Sequence, residues 1–221
     1  MRILAIEGAL ARCSAAVLVD GAVVVAAVAE APRGQPALLP PMARDVLVRA
    51  GLAAAALDAV AVGVGPGGFT GLRAAIALAE GIARGAGRPL VGVTTGEALL
   101  AALPDGLRQD RTVWAAIDNR RGRVVLERFA PGSEAVMVPL VAPIDALPVA
   151  ERPVLVLGDA AEVVAAVLRA RGDAAQACPG LPAAADLARL VARRLGAGVA
   201  MRGAAPLYAE PPAVTAPAMP G

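Results

Sequence analysis

V-A-V-G-V-G-P-G-G-F-T-G-L-R-A-A-I-A-L-A-E-G-I-A-R-G-A-G-R-P-L-V-G-V, residues 60–93, is the stretch around which the chain is organised. Val60, Val62 and Val64 form a short β-branched run that feeds the loop Gly65-Pro66-Gly67-Gly68-Phe69-Thr70-Gly71, and the loop opens into an amphipathic helix. Thr70 is the expected N-cap. Such a turn gathers free backbone N–H groups and the positive end of a helix dipole at one point, which suits a phosphate or a carboxylate. A purely structural strand-to-helix turn uses the same glycines, and Arg73 in the first helical turn is either a further anion donor or a surface residue. Bulk at Gly67 or Gly68 is expected to strain a backbone that needs φ above zero.

The helix expected over residues 71–86 divides into three faces. Leu72, Ala75, Ile76, Ala79 and Ala83 recur at core spacing, and Arg73, Glu80 and Arg84 form a charged stripe with Glu80 placed to pair with Arg84. Ala74, Leu78, Gly81 and Gly85 make the third face. A mid-helix glycine costs about 0.8–1 kcal/mol relative to alanine, so two on one stripe imply the close approach of another helix. That helix is either the chain's own segment 42–52, carrying Met42 and Val46, or one from a partner.

Upstream, residues 2–7, 12–20 and 22–29 read as strands, with Asp20-Gly21 as a type I′ hairpin turn between the last two. Residues 32–41 read as a proline-broken connection, and residues 42–52 as a helix closed by Gly51. Downstream, residues 90–93 form a strand, and Thr94 or Thr95 caps a short helix with Glu97 as the capping-box partner of Thr94. After the polar stretch 104–111 the order starts again. Strands 112–118, 123–129 and 135–141, a short helix near Ile144, strand 154–158 and helices 160–170 and 184–195 follow, with a turn at 120–122. The repeat of element order points to a duplicated α/β unit: domains at 1–105 and 106–203, then a tail at 204–221 expected to be disordered, residues 203–221 holding five prolines. Glu7 and Asp118 end the first strand of each half and are placed either to face each other across a cleft or to sit solvated at the strand ends.

Composition removes several function classes. All 21 basic residues are arginine, so a Walker A lysine is excluded. Histidine is absent, which excludes a histidine metal site, a Ser-His-Asp triad and a Cys-His dyad within the chain. No metal site and no catalytic residue is expected. A net charge of +2, one Trp, one Tyr and two Phe give little for nucleic-acid binding, although Arg120, Arg121 and Arg123 would make a basic hairpin tip. At 221 residues and 57% hydrophobic the chain can bury one large or two small cores, and it lacks an apolar run long enough for a membrane span or a signal-peptide pattern. Cys13 and Cys178 fit small core residues in a reducing cytosol.

Met1-Arg2-Ile3-Leu4-Ala5-Ile6, Pro32-Arg33 with Leu39-Pro40 and Asp45-Val46-Leu47, and above all Gly65-Pro66-Gly67-Gly68-Phe69-Thr70-Gly71-Leu72-Arg73 resemble the bacterial TsaB (YeaZ) family. Ile117-Asp118-x-Arg120-x-Gly122 and Pro206-x-Tyr208 carry the resemblance into the second half. It implies an α/β fold of two duplicated actin-like (ASKHA, RNase H-like) domains, each a mixed sheet with flanking helices. It also implies a cytoplasmic, non-catalytic partner of the TsaD transferase, working with the ATPase TsaE on the adenosine beside the tRNA anticodon. On this basis the partner interface comprises Ala74, Leu78, Gly81 and Gly85 with Met42 and Val46, and a homodimer is the alternative assembly of the isolated chain. Glu7, Gly65, Gly67, Gly68, Thr70, Arg73 and Asp118 are the candidates for nucleotide or phosphate. No cofactor is expected on this chain alone, ADP or ATP belonging to the joint interface with the partner. Glu7-Gly8 stands where the family reads Asp-Thr, and the competing reading is a stand-alone nucleotide-binding kinase or ATPase of the same fold.

Overall fold

The computed structural model describes residues 1–107, 110–120, 122–135 and 137–209. Arg121 of the expected basic tip and the expected tail beyond residue 209 lie outside the described residues. The first unit contains β1 (Arg2–Glu7), β2 (Arg12–Val19), β3 (Ala22–Glu30), α1 (Gln35–Arg49), β4 (Ala59–Gly63), α2 (Phe69–Ala86) and β5 (Leu90–Val93). After α3 (Thr95–Ala101) the second unit repeats it with β6 (Thr112–Asp118), β7 (Arg123–Phe129), β8 (Leu140–Pro143), β9 (Val154–Gly158), α4 (Ala161–Ala170) and β10 (Ala175–Pro179), and α5 (Ala184–Gly196) follows.

The two sheets share one topology. Their orders are β3-β2-β1-β4-β5 and β8-β7-β6-β9-β10, each with an antiparallel three-strand meander continued by two parallel strands. β4 is buried along its whole length and β1 along all but Arg2, as expected of central strands covered on both faces. Edge strand β3 instead alternates exposed and half-buried residues. Asp20 and Gly21 both have positive φ, +47° and +85°, so the β2–β3 turn has the sense expected of a type I′ hairpin.

α1 and α2 cover one face of the first sheet through Leu39, Ala43 and Val46, and Ala75, Ala79 and Ala83. α5, the last helix among the described residues, covers the other face, packing Leu187, Leu190 and Val191 against Ile3, Ala5 and Leu18. α3, which follows the first unit, sends Leu99 and Leu100 into the second unit's core beside Phe129 and Leu155. Each unit's trailing helix thus lies on the other unit's sheet.

The helix exchange is tied at both N-termini. α5 has no cap from its own Ala183, and its Ala184 N–H donates to Ser14 Oγ on β2 at 2.9 Å. α3 carries the expected Thr94–Glu97 capping box, and its Gly96 N–H donates to Glu127 Oε2 on β7 at 2.6 Å. Arg194 of α5 pairs with Glu97 of α3 at 3.0 Å. Ser14→Ala leaves a buried helix-end donor without its acceptor and is expected to lower stability by about 1–2 kcal/mol. Urea unfolding checks this, with Ser14→Thr as the variant that should recover part of the loss.

Three sequence expectations shift. α1 starts at Gln35, seven residues before the expected 42, and contains Pro40 and Pro41. Pro36 sits in the first turn, where a missing N–H is harmless, and Gln35 Nε2 anchors that turn by donating to Leu10 O and Ala31 O. The strand expected over 135–141 is the shorter β8, and β10 was not foreseen.

Candidate functional site

Strand ends from both sheets converge on a cleft of about 660 Å³. The β1–β2 turn and the glycine turn line it from the first unit, Asp118, Arg120 and Asp159 from the second, and Leu207 to Ala209 from the chain's C-terminal segment. That segment is strapped back onto the first sheet, with Gly92 N–H donating to Arg202 O at 2.9 Å and Leu207 N–H to Val64 O at 2.7 Å.

The glycine turn is pressed against the β1–β2 turn. Gly68 N–H donates to Ala9 O at 2.6 Å, and a Cβ on Gly67 would lie 2.3 Å from that same oxygen. Of Gly65, Gly67 and Gly68 only Gly65 has positive φ, at +92°, so the reason for Gly67 is close backbone approach rather than a left-handed conformation. Gly68, with φ −66°, is the N-cap of α2, and Thr70 lies exposed inside the first turn; the helix start has no side-chain cap.

Glu7 is fully buried and does not line the cleft. Its Oε1 accepts from Ala9 N–H at 2.6 Å, and its Oε2 has no partner among the described residues. Gly63 leaves the space for this carboxyl, since a Cβ there would lie 1.9 Å from Oε2. Desolvation pushes the Glu7 pKa up to about 7, against the Ala9 and Gly8 N–H groups, which lower it. Glu7 is therefore neither the solvated strand end nor the carboxylate facing Asp118 that its position in the sequence suggested. Asp118 is exposed at its own strand end, where Oδ1 accepts from Arg120 N–H at 2.7 Å. Its N–H donates to Asp159 Oδ1 at 3.0 Å, and burial holds the Asp159 carboxyl above the usual range.

Of the expected nucleotide set, Gly67, Gly68, Thr70 and Asp118 line the cleft, whereas Glu7, Gly65 and Arg73 do not. With the Gly68 N–H engaged by Ala9 and the Glu7 carboxyl packed against Gly63 of β4, these residues do not fit a phosphate cradled between the two turns. Among the described residues no group of three or more His, Cys, Asp or Glu side chains is placed to hold a metal.

Arg73 instead lies on the outer side of the cleft's rim. Its guanidinium carbon sits 3.8 Å from the centroid of the Phe69 ring, its Nε donates to Tyr208 Oη at 2.6 Å, and Phe69 and Tyr208 stack with centroids 5.9 Å apart. The remainder of α2's outer face is bare. Among the described residues nothing lies within 4 Å of a Cβ built on Gly81 or Gly85, while Ala74 and Leu78 are half-buried. α1 packs against α2 but does not reach those glycines, so it is not the helix that the glycine stripe called for. Met42 is half-buried, but Val46 is wholly inside the core and has no outer surface to offer.

Asp159 and the Phe69–Tyr208 stack escaped the sequence reading. The only local sign of Asp159 was its position directly after the Gly158 that ends β9. The stack joins residues 139 positions apart (208 − 69), and nothing local marks it.

Two units of one topology around a shared cleft, with exchanged helices, define a protein of the actin-like class. YeaZ from Pseudomonas aeruginosa superposes with a TM-score of 0.77 at 28% identity, covering 94% of this chain and 100% of that one. The ethanolamine utilization protein EutJ from Carboxydothermus hydrogenoformans shares the fold at 15% identity, with a TM-score of 0.52 over 86% of this chain and 90% of its own. The tRNA threonylcarbamoyladenosine biosynthesis protein TsaB of Escherichia coli K12 is 40% identical over 126 residues, 56% of this chain and 53% of that protein. That of Haemophilus influenzae is 39% identical over 84 residues, 38% of this chain and 35% of its own. The chain thus spans about half the length, or less, of these curated relatives. A family model described as TsaD, tRNA N6-adenosine threonylcarbamoyltransferase, matches residues 30–138. In sequence and in fold the chain is thus similar to proteins of the TsaB (YeaZ) family.

Proposed function

We propose that the chain is the non-catalytic partner subunit of a TsaD-type transferase, acting with TsaE to attach a threonylcarbamoyl group to N6 of the adenosine beside the anticodon in tRNAs reading ANN codons. Its place is the cytoplasm, and tRNA is met through the assembled complex. The observation that carries this reading is the bare face of α2, where Gly81 and Gly85 leave room for a helix that the described residues do not supply. The similarity to TsaB and YeaZ proteins supports it, as does the TsaD model's match to the segment holding α1 and α2. With Glu7 and the glycine turn engaged internally, ADP or ATP would be held at the joint interface and not by this chain alone. Without the transferase, the same face would serve a homodimer.

Gly81→Leu tests the assignment. Leucine is a better helix former than glycine by about 0.8 kcal/mol, and Gly81 is exposed with open space around it, so the isolated variant should melt at or slightly above the native temperature. Co-purification with the transferase of the same organism should be lost. A native chain that fails to co-purify with that transferase would overturn the functional reading, and a Gly81→Leu variant that still binds would move the interface elsewhere.

A further inference from the structure

The chain has four aromatic side chains, Phe69, Trp114, Phe129 and Tyr208. Trp114 and Phe129 fill cores, whereas Phe69 and Tyr208 stand 52% and 40% exposed and stack on each other beside Arg73. At the surface these two rings make a fixed setting for Arg73. The guanidinium lies over the Phe69 ring at 3.8 Å, and Tyr208 Oη accepts a hydrogen bond from Nε–H at 2.6 Å, so the side chain is held from one face and one edge. The terminal nitrogens have no partner among the described residues and form the fork that binds a carboxylate through two parallel hydrogen bonds. Among the described residues no acidic group is paired with Arg73, although Arg84 on the same helix has its Glu80.

Arg73 lies one turn before Ala77 and two before Gly81, on the same outer side of α2. Resting on the partner-subunit reading above, we propose that Arg73, laid on Phe69 and locked by Tyr208, is a preformed receptor for a carboxylate of the chain that packs against α2, and that the C-terminal strap is thereby part of the partner-binding surface. Arg, Tyr and a second aromatic are the residue types that dominate interface hot spots, and a guanidinium already immobilised loses less freedom on binding. A second copy of this chain is the poorer occupant. An antiparallel pairing of two α2 helices about Ala77 and Gly81 would bring Arg73 towards Arg84 of the other copy, like charge against like.

Titration calorimetry of the full chain against the transferase of the same organism tests the receptor. Arg73→Glu should weaken binding about a hundredfold or more, and Arg73→Lys, which keeps the charge but loses the planar fork, about tenfold. Tyr208→Phe removes one oxygen and should weaken binding several-fold, with an unchanged heat of unfolding, because all three groups are exposed. If the native chain binds and Arg73→Glu binds as tightly, the receptor is wrong while the functional reading stands. If Arg73→Glu binds the transferase normally but loses affinity for a short anticodon stem-loop RNA, the fork serves phosphate and the proposal is overturned. Failure of the native chain to bind the transferase removes the functional reading and the receptor with it.

Discussion

Gly67→Val should be the most damaging single substitution in the glycine turn, lowering stability by about 3–5 kcal/mol and weakening partner binding as well. A Cβ at Gly67 would meet the Ala9 carbonyl oxygen at 2.3 Å and the Ala9 carbonyl carbon and Cβ at 2.8 Å. These are backbone atoms and the first side-chain atom of a buried residue, with no rotamer to swing away. The two turns would have to part, breaking the 2.6 Å bond from Gly68 N–H to Ala9 O and shifting the start of α2 with Phe69 and Arg73 on it. Gly68→Ala is the control. Its Cβ would rest 3.5 Å from Ala9 O, an ordinary contact, and its φ of −66° suits any residue. Urea midpoints for the two variants decide the matter: equal stabilities would mean that the turns are not in contact in solution.

The contrast between Gly67 and Gly68 also marks how far a sequence can be read. Both look like turn glycines, and the distinction between them lies in Ala9, which is 58 positions away (67 − 9). Features fixed by near neighbours were legible: the positive φ at Asp20-Gly21, the Thr94–Glu97 capping box, the Glu80–Arg84 pair at 2.6 Å and the buried face of α2 all follow from residues within four positions. The duplicated order of strands was legible too, because turns punctuate it. The first turns of α1 were not, since the prolines that mark a break in isolation are tolerated once Leu39 is wholly buried and Gln35 is tied to Leu10 and Ala31. β10 was missed because its half-buried sequence A-Q-A-C-P lacks the β-branched run that marks β4 or β9. At the site, strand-end position suggested that Glu7 would face the cleft. A glutamate one methylene longer than the aspartate of the family's Asp-Thr packs its carboxyl against Gly63, and only the pairing of β4 beside β1 shows that.

Buried carboxyls give the chain an unusual dependence on pH: stability should fall as pH rises from about 5 to 8. Glu7 and Glu127 are both 0% exposed, each has one oxygen with no partner among the described residues, and desolvation raises each pKa from 4.5 to about 7. Around Glu127, the Thr94 hydroxyl and Gly96 N–H lower it, the Glu97 charge raises it and Arg202 lowers it, so burial remains the leading cause. Between pH 4.5 and 7 the folded chain holds these protons while the unfolded chain has released them. Unfolding therefore releases protons, and each rise of one pH unit removes about 1.4 kcal/mol per group. Below 4.5 both states are protonated and the penalty vanishes, whereas above 7 both are ionised and it is complete, at about 3 kcal/mol per group. Glu7→Gln and Glu127→Gln keep an amide oxygen to accept from Ala9 N–H and Gly96 N–H, and remove the titration. Each variant should match the native chain near pH 5 and exceed it by about 2–3 kcal/mol at pH 8, with the double variant nearly flat between. Urea unfolding at half-unit pH steps measures the slopes, and a double variant that keeps the native slope would show that neither carboxyl is buried as a neutral acid.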